Sequence, residues 1–524
     1  MFLKPLRKPL ILTTGLLSLC FLLSSCVSSG IPLRENTSAL VYPSPTLEYP
    51  PPIGDAALEY TEEAILTLPM HDGVRLTSFT EEIPFSVVRP RAESLVRSLL
   101  NHPGNGEAAP LGGKTKLALY GVNPVETSRN VATVNLAASA LQLSRKEYYL
   151  ACQAITDTLT HLSEIQYVNF LVMDKPIALD IGGTLPSGAF TQSVSSNIGT
   201  VYDQLLTQRS NPSETSASPR LSAVATLYFP LVGMDGLLAE ARTVSFDDQK
   251  PSTIVLTLLQ ELAKGPQEKM DSPPLPLLSD LLTQEPILTD APGGGGQIVT
   301  LHFAYNLDDM LATFGLTRAG SMASICYTLS SFLPNVTGIR ATIGDTLLGN
   351  VRLVEGSPQI ALLFQNAVQR RSDYAAFVMD FSTLYFADEN GEKLMTVQRP
   401  VPYYQTTNPR TLLLQLSQGP LPIDSTKTAK RLMPSNTLRD SDLLGFALKD
   451  DVLLVHFTPT FRNLGYALSA QEDRLLAYGL VNTLSSLPKI QRVVFYMSNE
   501  LPPSFTDAIH WAGAFYRNLG LVQK

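Results

Sequence analysis

Apolar and polar residues alternate at three places along the chain. Each alternation runs into a turn dipeptide: Asp72-Gly73, Asp235-Gly236 after LYFPLVGM, and Asn390-Gly391 after LYFADE. A period of two predicts half-buried strands. Asp-Gly or Asn-Gly between two strands predicts a hairpin with a type I′ turn, whose central positions both need positive φ. A helix is predicted after each hairpin, because Pro90, Pro251 and Pro409 stand just ahead of LVRSLL, IVLTLLQEL and TLLLQL, as suits proline at the first helical position. The stops are predicted at Asn101-His102-Pro103, Lys264-Gly265-Pro266 and Gln418-Gly419-Pro420, where Gly takes the left-handed cap and Pro cannot continue the helix.

Two strands are predicted next, the second being NVATVNL to Leu136, IVTLHF to Phe303 and VLLVHF to Phe457. A second helix then carries one apolar stripe: Tyr148, Cys152, Ile155, Leu159 and Leu162; Met322, Ile325, Leu329 and Phe332; Leu476, Leu480, Leu484 and Leu487. Ser144 with Glu147 and Ser469 with Glu472 form S-x-x-E capping boxes at its start. The middle copy has Thr317 without the acidic partner and is predicted about a turn shorter. A last strand, YVNFLVM, GIRATI or RVVFYM, closes each unit ahead of a helical tail.

The second helices end in nearly the same words, DTLTHLSEIQYV around Thr158, YTLSSFLPNVTGI around Thr328 and NTLSSLPKIQRV around Thr483. This spacing is that of a domain, far above the roughly 20 to 50 residues of solenoid repeats. One fold is therefore used three times. The expected class is α/β (mixed α+β), with three tandem domains of β-β-α-β-β-α-β order, each most simply one mixed sheet with helices on one face. The expected boundaries are a signal segment over 1–26, a Pro/Ser-rich tether over 27–55, domains over 56–206, 220–371 and 372–524, and a linker over 207–219 (TQRSNPSETSASP). The second and third units are joined only through the charged QRRSD near residue 370, so those two are expected to pack closely. The repeated threonines lie beside the apolar stripe and read as packing or back-bonding residues rather than nucleophiles.

The chain has 524 residues, 44% hydrophobic and 16% charged, with a formal charge of −8. This is globular material, with no Lys/Arg stripe to neutralise phosphates, so no nucleic-acid partner is expected. The N-terminus changes the picture more. A basic start, MFLKPLRK, leads into an apolar run ending at Leu23-Ser24-Ser25-Cys26, too short and asymmetric for an ordinary span. It resembles a bacterial lipoprotein signal in which Cys26 is diacylated after cleavage. Two acyl chains would anchor the protein stably, palmitate-type chains included, at about 0.8 kcal/mol per buried CH₂. Cys152 and Cys326 fall at different offsets in their repeats and read as small core residues, not a disulfide.

The combination of L-Y-F hairpin, helix ending in G-P, V-H-F strand and N-T-L-S-S-L-P helix end resembles the GerMN domain family of spore-germination proteins. The resemblance is clearest in the third repeat and good in the second. The first departs from it, with His102 where Gly is expected and Asn135-Leu136 in place of His-Phe. The resemblance implies an exported lipoprotein of a Gram-positive, spore-forming bacterium, on the extracytoplasmic face of the cell membrane. It also implies an α/β fold similar to envelope ring-building motifs and a part in sporulation or germination rather than in known catalysis.

Candidate chemistry is sparse. The chain carries no HExxH, paired CxxC or GxSxG. Ser486 and Lys489 make an S-x-x-K, but Pro488 falls where the helix ends and separates the two side chains. Gly293 to Gly296 precede a strand, not the helix N-terminus a phosphate cradle needs, and read as a loose connection. His302 and His456 occupy equivalent strand positions, with Asn135 in the remaining copy, which offers no zinc ligand set. Asp308 and Asp309 read as a solvated helix start. No catalytic residue, metal or cofactor is expected. The expected function is a non-enzymatic, membrane-anchored interaction or assembly scaffold of the cell envelope, with envelope proteins or itself as partner. Two alternatives stand beside it: a cell-wall enzyme or accessory subunit, which predicts two carboxylates converging in a pocket, and a lipid-anchored solute-binding protein, which predicts two lobes around a crevice.

Overall fold

The structure, a computed structural model, describes residues 49–524 apart from 57, 211–220, 268–271, 355–356, 358, 426–427, 435–436, 466 and 524. Cys26, its signal segment, most of the tether and residues 211–219 of the linker lie outside the described residues. A short strand β1 (Gly54–Asp55) precedes the first repeat, which holds β2 (Glu59–Pro69), β3 (Leu76–Ser86), α1 (Arg91–Asn101), β4 (Val125–Ser128), β5 (Val131–Leu136), α2 (Arg145–Leu159), β6 (Tyr167–Val172) and a tail helix α3 (Ile198–Ser210). The second holds β7 (Leu221–Pro230), β8 (Leu237–Phe246), α4 (Pro251–Ala263), β9 (Ile287–Asp290), β10 (Gln297–Phe303), α5 (Leu307–Thr313), α6 (Arg318–Phe332) and β11 (Val336–Ile343), then the short strands β12 (Thr346–Leu347), β13 (Asn350–Arg352), β14 (Ala361–Leu363) and β15 (Gln369–Arg370). The third holds β16 (Met379–Ala387), β17 (Leu394–Pro402), α7 (Pro409–Gln418), β18 (Leu443–Lys449), β19 (Val452–Phe457), α8 (Ala470–Leu484), β20 (Arg492–Met497) and β21 (Ala514–Tyr516).

The mixed α+β order is thus present three times, but the strands of a repeat do not join into one sheet. The hairpin forms its own ladder. The later strands form a second sheet, antiparallel between its first two members and parallel between β5 and β6, β10 and β11, or β19 and β20. A parallel pair needs a long crossover, and the second helix is that crossover. It packs on the hairpin and on the parallel strands at once, which explains why α6 is buried from Ala319 to Phe332.

The repeated threonine is what joins helix to hairpin. Thr158 Oγ1 accepts the backbone N–H of Thr67 at 2.9 Å, Thr328 Oγ1 that of Tyr228 at 3.1 Å, and Thr483 Oγ1 that of Tyr385 at 3.1 Å. Each acceptor is buried, and each donor lies in the first strand of its hairpin. Small residues one turn earlier, Ala154, Ser324 and Gly479, allow the close approach. Ser324 Oγ donates to the carbonyl of Tyr228 at 2.5 Å, and a Cβ on Gly479 would overlap Leu432 and lie 3.2 Å from the carbonyl oxygen of Tyr385.

Several local expectations change. The hairpin connections span 70–75, 231–236 and 388–393, with positive φ at Gly73, Gly233 and Gly391 but not at Asp72, Asp235, Gly236 or Asn390. They are longer loops rather than type I′ turns. Side chains stabilise them: Asp72 Oδ1 accepts from Val74 N and Arg75 N at 2.9 and 3.0 Å, and Asp388 Oδ1 from Glu392 N and Lys393 N at 2.8 and 3.1 Å. Pro251 and Pro409 are first helical residues, whereas Pro90 is one position earlier. Helix α6 is not short; at 15 residues it equals α2 and α8. It is displaced by about a turn, with Thr317 Oγ1 capping Gly320 N at 3.0 Å. Both S-x-x-E boxes close reciprocally. Among the described residues the third repeat has no α-helical tail: the chain after β20 returns as β21, with Trp511 Nε1 on Asp473 Oδ1 at 2.9 Å, and ends in a single 3-10 turn, Leu519–Leu521.

The first helices end as their sequences require. Gly265 and Gly419 take φ of +74° and +77°, and their carbonyls accept from Arg242 Nη2 and Arg399 Nη2 at 2.9 and 2.7 Å. The first repeat exchanges both partners. Glu81 stands at the arginine's strand position and meets His102, which replaces the glycine, at 2.9 Å.

The end of the Pro/Ser-rich segment does not run free. Strand β1 pairs in parallel with β18 of the third repeat. Asp55 binds Arg410 at 2.7 Å, Pro52 O receives His456 Nδ1–H at 2.8 Å, and Tyr49 O receives the Tyr496 hydroxyl at 2.6 Å. Residues 207–210 belong to α3. All three repeats lie within the compact unit Val41–Lys524.

Thr483→Val should cost about 1–3 kcal/mol, the penalty for orphaning the buried N–H of Tyr385; Thr483→Ser should recover most of it in denaturant unfolding. Gly445→Ala should expel β1, because the new Cβ would overlap the Gly54 backbone. Hydrogen exchange at Ala56, whose N–H is bonded to Phe446 O at 2.8 Å, should then speed up. Unchanged protection there would contradict the pairing.

Candidate functional site: the junction of the three repeats

The repeats meet at a buried cluster to which each contributes. The β4–β5 turn is tight, with Arg129 at φ 57°, and it presents Ser128 to both other repeats. Ser128 Oγ accepts Ala239 N–H of β8 at 3.0 Å and donates to Met379 O of β16 at 2.7 Å. The neighbouring Arg129 N–H reaches Asp380 Oδ1 at 3.1 Å. A serine hydroxyl can donate once and accept twice, so one side chain ties three backbones.

Arg371 is the charged centre. Its Nη2 pairs with Glu126 Oε2 of β4 at 2.5 Å, and Nη1 donates to Ser331 Oγ of α6 at 2.7 Å. The guanidinium carbon lies 3.9 Å from the Tyr327 ring centroid and 5.6 Å from that of Tyr228. Tyr403 closes the cluster by donating to Asn123 O at 3.0 Å. Burial opposes the charge on Arg371, but Glu126 and the phenol oxygens of Tyr228 and Tyr327 outweigh it and hold the guanidinium charged. Burial likewise works against the Glu126 carboxylate, with Arg371 opposing it. Such a pair stabilises little relative to apolar packing, but losing one partner strands a buried charge. The QRRSD stretch is therefore a structural keystone rather than a linker.

The sheet of the first repeat also covers the outer face of the second hairpin. Asn169 Nδ2 donates to Thr226 Oγ1 at 2.7 Å, Thr133 Oγ1 lies 3.3 Å from the Tyr228 hydroxyl, and Ala189 N–H reaches Val224 O at 2.8 Å.

The candidate chemical residues take up structural positions. His456 Nε2 accepts Asn499 N–H at 3.1 Å while Nδ1 serves Pro52. Asn135 does the same work in the first repeat, its Oδ1 accepting Asp174 N–H at 3.1 Å. His302 instead meets Thr342 Oγ1 at 2.9 Å. Asp308 is ion-paired with Arg318, Nε to Oδ1 at 2.9 Å, while Asp309 is exposed. Ser486 Oγ donates to Thr483 O at 2.6 Å, and Lys489, at φ 69°, lies beyond the helix. The glycine loop presents a carbonyl, Gly295 O, to Lys175 Nζ at 2.5 Å, the reverse of a phosphate cradle. Cys152 and Cys326 are both buried free thiols, that of Cys326 pushed up by burial to about 12. No group of three or more potential metal ligands occurs among the described residues. Three hollows of about 350, 370 and 480 Å³ have at most one carboxylate each in their linings, Glu59 in the second and Asp442 in the third.

Sequence reasoning missed Glu126, Ser128 and Arg371. The available signal was a pair of arginines at a boundary in a chain of low charge content.

Fold and junction together define a protein built of fused α+β repeats. Residues 69–178 and 383–501 match the family model described as Germane, sporulation and spore germination. These two spans are assigned to the GerMN family, whose description relates it to sporulation and germination. The matched spans fall in the first and third repeats; the second lies outside both and shares their element order and threonine contact. Among solved structures, the tandem GerMN domains of the sporulation protein GerM from Bacillus subtilis are 18% identical, with 59% of this chain and 99% of that chain covered and a TM-score of 0.21. The first GerMN domain of the same protein is 14% identical, covering 25% of this chain and 96% of that one, with a TM-score of 0.19. No curated protein matches.

Arg371→Met should destabilise the fold by about 3–5 kcal/mol by stranding Glu126. Adding Glu126→Gln should restore part of that loss. Additive losses in the double variant, read by denaturant unfolding, would show that the two side chains are not coupled.

Proposed function

We propose that the chain is a non-enzymatic scaffold, lipid-anchored through Cys26 at the extracytoplasmic face of the membrane of a Gram-positive, spore-forming bacterium, and acting in sporulation or germination. The observation that carries this reading is the junction. Its charged and polar groups join three domains into one body that displays several surfaces at once, and a tethered body of that kind gains avidity from multiple contacts. The family's relation to sporulation supports the cellular setting. The Leu23-Ser24-Ser25-Cys26 box supports the anchor, and no helix among the described residues is long and apolar enough to cross a membrane. The hollows support the non-enzymatic reading, since none of the three brings together the two carboxylates a glycan hydrolase would use.

Cys26→Ser should move the protein from the membrane fraction to the medium or soluble fraction. Cross-linking and pull-down of the anchored protein from growing and sporulating cells should recover envelope proteins or further copies of the chain. Recovery only as a free monomer under both conditions would sink the scaffold reading.

A further inference from the structure

The tandem fold offers internal controls for its own surfaces. In each repeat the parallel sheet has an outer face turned away from the second helix, and the hairpin has one too. In the first repeat the sheet's outer face is the row Thr133–Asn169, which docks on Val224, Thr226 and Tyr228 of the next hairpin. In the third repeat the equivalent row, Leu454–Val494, and its neighbour, His456–Tyr496, are covered by the segment containing Tyr49 and Pro52.

Among the described residues the second repeat's face is covered at one end only, where Ala291 and Val368 pack on Ile298 and Asn366 O receives Arg340 Nη2 at 3.4 Å. Its rows are Ile287–Thr300–Arg340 and His302–Thr342–Leu347. Thr300, His302, Arg340 and Thr342 are half-buried, and the apolar Ile287 and Leu347 are 49% and 51% exposed at the two edges. Arg340, at the position of Asn169, donates through Nη2 to Asn366 O but has a buried Nε with no hydrogen-bond partner. Arg370, across from Gly338, adds a second cation to this face. These rows contain no carboxylate.

The first repeat's hairpin has the opposite problem. Its outer face, Glu59, Thr61, Glu63 and Ile65 on β2 with Thr80 and Glu82 on β3, is exposed throughout. Glu63 and Glu82 are directly opposite each other across the strands, an arrangement that like charges make unfavourable. The face carries no Lys or Arg, and Ile65 is 39% exposed at its centre. The corresponding face of the second hairpin carries no charge; Val224, Thr226 and Tyr228 of it lie against the first repeat, while Ser222, Thr243 and Ser245 are exposed.

We propose that these two free faces bind each other between copies: the acidic face of the first hairpin in one molecule docks on the Arg340 face of the second repeat in the next. The contact repeats in trans the sheet-on-hairpin packing that joins repeats one and two within the chain, with Ile65 in the place of Thr226 opposite Arg340 and with Glu63 and Glu82 beside it in the places of the neutral Val224 and Thr243. The two faces differ, so the interface is heterologous and propagates into a filament or a ring rather than stopping at a dimer. The third hairpin's outer face, with Thr383, Thr396 and Gln398, lacks the carboxylates to compete for that partner. This inference rests on the scaffold reading and specifies its surface.

The test is disulfide trapping in the full-length anchored protein. Ile65→Cys and Thr300→Cys placed in one chain should give, on mild oxidation, a ladder of dimers, trimers and larger species on a non-reducing gel. Native Cys152 and Cys326 are buried and should not contribute. Arg340→Glu in that background, or about 0.5 M salt, should reduce the ladder about tenfold, while Glu63→Lys with Glu82→Lys in uncrosslinked protein should leave sedimentation at the monomer. A ladder no stronger than that of Ile65→Cys paired with Val122→Cys, an exposed position on neither face, overturns the proposal. If pull-down still recovers envelope proteins in that case, only this interface fails and the scaffold survives; if it recovers none, both fail.

Discussion

Each repeat depends on one hydrogen bond made by a threonine on a buried helix. The parallel strands require a crossover, the crossover helix must also cover a hairpin that belongs to a different ladder, and only close contact holds that hairpin in place. A hydroxyl aimed at a backbone N–H solves the problem because the N–H lies inside and would otherwise go unpaired. The small residue one turn earlier is part of the same device. Ala154, Ser324 and Gly479 leave room for the strand, and Ser324 adds a second bond to the same residue of it.

The same economy appears where the copies differ. The first repeat reads as divergent because it lacks the G-P glycine and the strand histidine, yet each loss has a local counterpart. Glu81 and His102 replace an arginine-to-carbonyl cap, and Asn135 presents an oxygen to Asp174 N–H where His456 presents a ring nitrogen to Asn499 N–H. Substitutions that look like decay in one dimension are exchanges of hydrogen-bonding partners in three. This accounts for a family match that includes the first repeat.

The junction changes what a tandem array means here. Repeats on flexible linkers would sample many orientations. Ser128 and the Glu126–Arg371 pair instead set one orientation, and β1 ties the beginning of the described chain to the last repeat's sheet. The surfaces left open include the first hairpin and the uncovered rows of the second sheet. Both are charged where the covered equivalents are neutral or apolar.

Residue order by itself determined the threefold repeat, the element sequence, the helix stops at Gly265 and Gly419, the capping boxes at Ser144 and Ser469, and the structural character of Thr158, Thr328 and Thr483. All of these are set by periodicity and backbone chemistry within a few residues. Tertiary structure alone decided that the hairpin and the sheet are separate, that α6 is displaced rather than shortened, and that Asp72 and Asn390 stay out of the left-handed region. It alone showed that residues near 52 cover a strand near 456 and that Arg371 is a keystone. Those outcomes turn on which buried donor finds which acceptor hundreds of residues away, and no local spacing records that choice.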